Sequence, residues 1–241
     1  MYNRFFIIPV FIATLAMVLT SCSKNNDDSD SSTFVDSRDG NVYQTINIGN
    51  QVWMAENLKY LPSVVGPATG SETSPYYYVY GYDGTAADNA KATENYDTYG
   101  VLYNWPAAMN GASSSTSNPS IVQGVCPTGW HLPSDAEWTE LTDYLGGTST
   151  AGGKLKEKGM THWMTPNTGA TNETGFTALP GGFLSFNGTF NLIAEIAYWW
   201  STTQYDSPES AYSRSLGHDS NSFYRHGSNK KNGHFVRCLR D

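Results

Sequence analysis

The sequence predicts an α+β domain made mainly of short antiparallel strands joined by long loops. Three observations lead there. Aromatic residues are 14% of the chain, charged residues only 15%, and there are 23 glycines, a balance that suits short strands and frequent turns better than a helical bundle. Val42, Gln44, Ile46 and Ile48 alternate with Tyr43, Thr45 and Asn47, the period of two of a strand. Finally, Ser134 to Gly147 carries paired start and stop signals for a helix.

At the N-terminus, Arg4 precedes an apolar run from Phe5 to Leu19. That length suits a signal-peptide core and is short for a membrane span, which needs ~20 apolar residues. The run ends in Leu19-Thr20-Ser21-Cys22, which resembles the lipobox of bacterial lipoproteins. Residues 1–21 are therefore expected to be a signal peptide and Cys22 the lipid-attachment site, against an ordinary secretory peptide with a chance cysteine. Residues 22–33 contain no apolar side chain after the cysteine, cannot offset the entropy of ordering, and read as a tether. Fully extended, the tether reaches at most ~40 Å. Its acidic character resembles the surface-export signal of Bacteroidetes-type lipoproteins, which implies an outer-membrane, cell-surface location. Cleavage removes Arg4 and takes the formal net charge of −8 one unit lower. Such a protein gains nothing from counterion release on nucleic acid, so nucleic acid is excluded as a partner.

Residues 34–241 form the expected single domain, long enough for a substantial core. Gly49-Asn50 makes a two-residue hairpin turn after the first strand, and Gln51-Val52-Trp53-Met54 returns. Leu61 to Asp97 reads as loop, rich in glycine and tyrosine. Tyr99 to Met109 reads as a buried helix, with Pro106 tolerable only near a kink or an end. Ser134 and Glu137 form a capping box, Asp135 and Glu137 sit at the favourable end of the helix dipole, and Gly146-Gly147 stops the helix. Capping accounts for these acids without catalysis. Phe176–Leu179, Tyr198–Thr203, Ala211–Leu216 and His234–Leu239 are the expected later strands. With Cys22 taken by lipid, Cys126 and Cys238 are left as a pair. In an exported protein such a pair is expected to be a disulfide, with a redox or copper-binding pair as the alternative.

Several stretches resemble one family, the Fibrobacter succinogenes major paralogous domain. They are Gly40–Tyr43, Ile48–Leu58, Tyr99–Trp105, Cys126–Pro133, Glu137-Trp138, Gly152–Lys156, Tyr198–Thr202 and Val236–Asp241. The resemblance runs in order through nearly everything after Phe34, and Pro106 departs from it. It implies a C-type-lectin-like fold, shared with formylglycine-generating sulfatase modifiers: a twisted antiparallel sheet, two flanking helices, and chain ends brought together. It assigns no activity, and a fold by itself does not supply one.

The relation to formylglycine-generating enzymes raises a copper-oxidase reading, but the two cysteines occupy structural positions. Glu-Pro-Asn and Gln-Pro-Asp, the Ca²⁺ loops of sugar-binding lectins, are absent; Asp206, Glu209 and Asp219 offer hard oxygen ligands yet read more simply as solvated loop residues. No cofactor is expected, with Ca²⁺ as the open alternative. The histidines lack paired zinc spacing. Gly147 to Lys154 fails as a phosphate loop because Leu155 stands where a hydroxyl is needed. Tyr76, Tyr78 and Tyr80, in a glycine-rich stretch, together with one of Trp199 and Trp200, taken as Trp200, are the candidate ligand-binding rings. Packing of the tyrosines against the sheet is the competing reading. The expected function is a non-enzymatic surface module binding glycan or protein. One alternative is an envelope- or polysaccharide-acting enzyme, signalled by a cleft gathering Glu195, Asp206, His218 and Asp219; another is a structural envelope subunit.

Overall fold

The computed structural model describes Met1, Tyr2 and residues 32–241. The signal-peptide core, Cys22 and nearly all of the tether lie outside the described residues. No helix among the described residues is long and apolar enough to cross a membrane.

Strands β1 (Ser32–Val35), β2 (Val42–Ile48) and β3 (Gln51–Met54) form an antiparallel meander. The tight turn falls at Gly49-Asn50, where Gly49 takes φ +62°. In the first half of β2 it is Tyr43 and Thr45 that turn inward, and Val42 is exposed. The Tyr43 hydroxyl reaches across the core and accepts the Lys59 N–H at 2.9 Å, so this ring is both apolar filler and hydrogen-bond acceptor.

The region expected to be loop contains β4 (Tyr77–Tyr78), α1 (Ala87–Lys91) and α2 (Glu94–Tyr99). The expected continuous helix from Tyr99 to Met109 is not formed. Gly100, at φ +82°, ends α2; β5 (Leu102–Tyr103) pairs with β4, and a short α3 (Trp105–Met109) follows. Pro106 sits in the first turn of α3, where its missing N–H costs nothing, and Asn104 caps it by accepting the Ala107 N–H at 3.1 Å.

After β6 (Trp130–His131) comes the capped helix α4 (Asp135–Tyr144), with both halves of the capping box made by Ser134 and Glu137. The glycine-rich stretch beyond it is helical too, as α5 (Thr148–Leu155). Gly152 and Gly153 let this helix approach the backbone of Asn221, Ser222 and Gly169 more closely than any Cβ would permit. A small hairpin of β7 (Phe183–Leu184) and β8 (Phe190–Asn191) leads to the antiparallel sheet of β9 (Ile196–Gln204), β10 (Ser210–Gly217) and β11 (Phe223–Asn229). The final β12 (Leu239–Arg240) inserts between β3 and β6, completing the order β1-β2-β3-β12-β6.

The architecture is thus a mixed α/β fold of mostly antiparallel sheets with few helices. Two expected strands are corrected. Phe176–Leu179 is irregular, with Thr177 at φ +50° and only a single bridge from Ala178 to Lys156. Of His234–Leu239 only the end is ladder, while His234 and Phe235 make isolated bridges to Tyr103 and Trp199. The Phe235 bridge runs along the free edge of β9, and the His234 ring packs on Trp200 and Tyr198 on that strand's second face. Trp199 and Trp200 point to opposite faces, yet both are fully buried. Trp199 joins Trp138, Phe176 and Phe223 in an aromatic cluster, while Trp200 packs on His234 and donates its indole N–H to the Tyr103 carbonyl at 2.7 Å.

Cys126 and Cys238 are bonded across 112 residues. The bond ties β12 back to the segment ahead of α4, both cysteines being fully buried in the core. Closing a loop of this size removes chain entropy from the unfolded state equivalent to about 4–5 kcal/mol. Reduction, or the double substitution of Cys126 and Cys238 by serine, should lower the unfolding free energy by about that amount, read by equilibrium denaturation with and without reductant.

Candidate functional site

The residues singled out in the sequence do not converge. Tyr78 and Trp200 are fully buried, so neither offers a ring face to a ligand, and the Tyr78 hydroxyl donates to the Thr69 carbonyl at 2.6 Å. Tyr76 and Tyr80 are half-buried, with Tyr80 packed 5.0 Å from Phe190. Asp206 and Glu209 lie in the turn before β10, whereas Asp219 lies in the turn after it. The length of β10 therefore separates the Ca²⁺ candidates, and among the described residues no group of three or more His, Cys, Asp or Glu could hold a metal ion. His218 does meet Glu195 through a backbone hydrogen bond of 2.8 Å, with Asp219 beside it, but Asp206 is at the far end.

The two acids in the first turn of α4 are fully engaged. Asp135 takes Arg214 and Arg225 at 2.8 Å each. Glu137 accepts the N–H groups of Ser134 and Ser120 with one oxygen, and with the other it meets His131 Nε2 at 2.7 Å. His131 is bracketed on its other side by Asp241, at 2.8 Å, against a cavity of about 640 Å³. Burial opposes its charge, but the two carboxylates outweigh burial and hold its pKa above the ordinary histidine value.

A different set of side chains builds a cleft of about 540 Å³ between the exit of β3, the end of α2 and the loop 172–179. Beyond Met54 the chain runs beside the C-terminal segment: Met54 N–H donates to Cys238 O at 3.1 Å and Leu58 N–H to Val236 O at 2.9 Å. This places Glu56 at the side of β2, where its carboxylate accepts the Gln44 N–H at 2.9 Å. Burial raises the Glu56 pKa, in spite of the Gln44 N–H and the positive charges of Arg237 and Lys59.

Asn57, turned inward, is the floor. Its Oδ1 accepts the Trp199 indole N–H at 2.8 Å and an Arg237 Nη2–H at 3.2 Å, and its Nδ2 donates to the Tyr99 carbonyl at 2.9 Å. Arg237 is itself buried. It lies 3.9 Å over the Phe176 ring and donates to the Phe176 carbonyl, while its Nε–H finds no partner. Burial pulls its pKa down to about 9. The opposite wall is held by Asn172, whose Oδ1 accepts the Thr177 N–H at 2.8 Å and whose Nδ2 donates to the Thr177 hydroxyl at 3.0 Å. The result is a concavity lined by three carboxyls (Glu56, Asp97 and Glu173), two cations, amides and hydroxyls, with Ile46, Tyr99 and Leu179 as apolar surface. Such a lining can hydrogen-bond a hydroxyl-rich ligand while packing its non-polar face.

Sequence reasoning missed Glu56, Asn57 and Arg237 as site residues although all three lie in stretches carrying the family resemblance. The available signal was local: Glu-Asn between Met54-Ala55 and Leu58, and arginine between Val236 and Cys238, polar groups placed where a strand otherwise enters the core.

The bracketed His131 has a definite pH consequence. A histidine whose folded pKa is raised contributes stability that is complete below its unfolded value, near 6.5, and is lost as pH rises through the folded value. His131→Gln should therefore be most destabilising at acidic pH and converge toward the parent chain as pH rises through that window, measured by thermal unfolding across pH.

A family model, described as the Fibrobacter succinogenes major domain, matches residues 46–240. That span includes Glu56, Asn57, Tyr99 and Arg237 and both disulfide cysteines. No curated protein and no solved structure matches the chain. The chain belongs to the Fibrobacter succinogenes major domain family.

Proposed function

We propose that this protein is a non-catalytic binding module, held by lipid on Cys22 at the outer membrane and presented at the cell surface, and that its cleft binds a segment of a glycan. The observation that carries the reading is the convergence of the Glu56 carboxyl, with its raised pKa, the partly exposed Asn172 amide and the half-buried Tyr99 in one concavity floored by Asn57. Planar carboxyl and amide groups suit vicinal hydroxyls.

We read the architecture as a variant of the C-type-lectin-like fold. In support, β12 is drawn into the sheet that holds β1 to β3, which brings the two ends of the domain together. On this reading the Ca²⁺ dependence of sugar-binding lectins is replaced by the side chains of the cleft. The lipobox-like Leu19-Thr20-Ser21-Cys22 and the polar tether after it support the address.

A glycan array probed with the full chain should give a defined set of ligands. Glu56→Ala should weaken them by about ten- to a hundredfold, the range for losing a hydrogen bond to a charged group, with an unchanged melting temperature as the folding control. An empty array, or ligands bound equally by the variant, would count against the cleft. Mass spectrometry of the mature N-terminus should find a diacylglyceryl-modified Cys22 as first residue; retention of Met1 would remove the anchor.

A further inference from the structure

The sheet of β9, β10 and β11 carries a second surface, separate from the cleft. Its register sets Tyr198, Ser215 and Tyr224 side by side across the three strands. One face, bearing Trp199, Arg214 and Phe223, turns into the core, with Arg214 meeting Asp135. On the opposite face Ser215 is buried and His234 stacks on the Tyr198 ring at 4.8 Å, while Tyr224 is exposed and Tyr198 is half-buried. Four rings form a continuous row there: Tyr224 to His226 at 6.0 Å, His226 to Tyr198 at 5.7 Å, and Tyr198 to Phe183 of β7 at 5.2 Å. Tyr224 is 41% exposed, and the other three are half-buried.

We infer that this row is a stacking surface for an uncharged polysaccharide chain lying across β11, β9 and β7. The row is free of charge in a strongly acidic protein. Its ring-bearing positions and the serines between them include no lysine, arginine or carboxylate. Burial and the nearby Arg214 lower the His226 pKa, and burial raises that of Tyr198, so imidazole and phenol are both neutral near pH 7. Hydroxyl groups are interleaved with the rings. Ser220 lies 2.9 Å from the exposed Tyr224 hydroxyl, while the buried Ser215 lies 2.8 Å from His226 Nε2 and orients that ring from beneath. Apolar ring surface edged by neutral donors and acceptors complements a pyranose chain, whose rings have C–H faces and hydroxyl edges. An anionic or cationic partner would gain nothing here. The row needs nothing from the cleft: it extends a binding function along a polymer, and the two surfaces can fail independently.

The test is affinity electrophoresis of the full chain in gels containing xylan, mannan, mixed-linkage β-glucan or dextran, with anionic polygalacturonate as control. At least one neutral polymer should retard the protein, and polygalacturonate should not. Tyr224→Ala should weaken that retardation about two- to tenfold, as expected for one lost ring contact. Tyr224→Trp should preserve it, and Glu56→Ala should leave it unchanged. Absence of retardation by every neutral polymer would overturn the inference. So would retardation abolished by Glu56→Ala but indifferent to Tyr224→Ala, which places binding in the cleft. A dimer that dissociates on Tyr224→Ala, without any polysaccharide binding, would assign the face to a second copy of the chain instead.

Discussion

The side chain of Asn57 is the joint on which much of this structure depends. One buried amide is shared by Trp199 of β9, Arg237 of the C-terminal segment and the carbonyl of Tyr99 at the end of α2. These groups are 142, 180 and 42 residues away in sequence. A buried amide left unpaired is costly, and so is a buried indole N–H or guanidinium. Satisfying all three at one point therefore fixes the relative positions of the two main sheets. It also leaves Arg237 facing the cleft and Glu56, the next residue back along the chain, beside β2. The joint that orders the core also shapes the concavity.

A fold with few helices and long loops must find donors for many carbonyl oxygens that no ladder reaches. Here cationic side chains, Lys156 and Lys230 buried and Arg38 nearer the surface, supply them. Lys156 is fully buried and gives its ammonium to the carbonyls of Thr168, Gly217 and Ser220 at 2.8–3.0 Å, at the expense of a pKa lowered by burial to about 8. Lys230 does the same for Pro208 and also reaches Gln204, with the Trp105 ring 4.4 Å away. Arg38 holds the Val125 carbonyl at 2.8 Å while paired with Asp36. Three of the chain's 14 lysines and arginines are thus used to pin loops.

The sequence made legible those features whose signals are local. The hairpin at Gly49-Asn50, the capped helix and the cysteine pair all follow from neighbouring residues or from simple counting, and all are present in the structure. Where the outcome depends on distant segments, reading by period failed. Strand alternation leaves one of Trp199 and Trp200 for an open face, but His234 packs over Trp200 and buries it. Glycine-rich surroundings make Tyr78 a candidate binding ring with packing as the competing reading, and packing is what the structure shows: it lies in the strand paired with β5 and is buried. Gly147 to Lys154, weighed only as a phosphate loop, is a helix whose glycines serve close packing. The cleft was illegible for the same reason: its walls come from β2, the exit of β3, the end of α2, the loop 172–179 and Arg237. No periodicity within one stretch announces such an assembly.

If ligand binding occurs on the floor defined by Asn57, the groups that Asn57 holds should sense it. The Trp199 indole N–H and the Arg237 Nε–H, the latter buried without a partner, are resolved by nitrogen–proton NMR. Titration with an oligosaccharide that binds the protein should shift both signals along a common saturation curve. Saturating binding that moves other resonances and leaves these two in place would contradict the account.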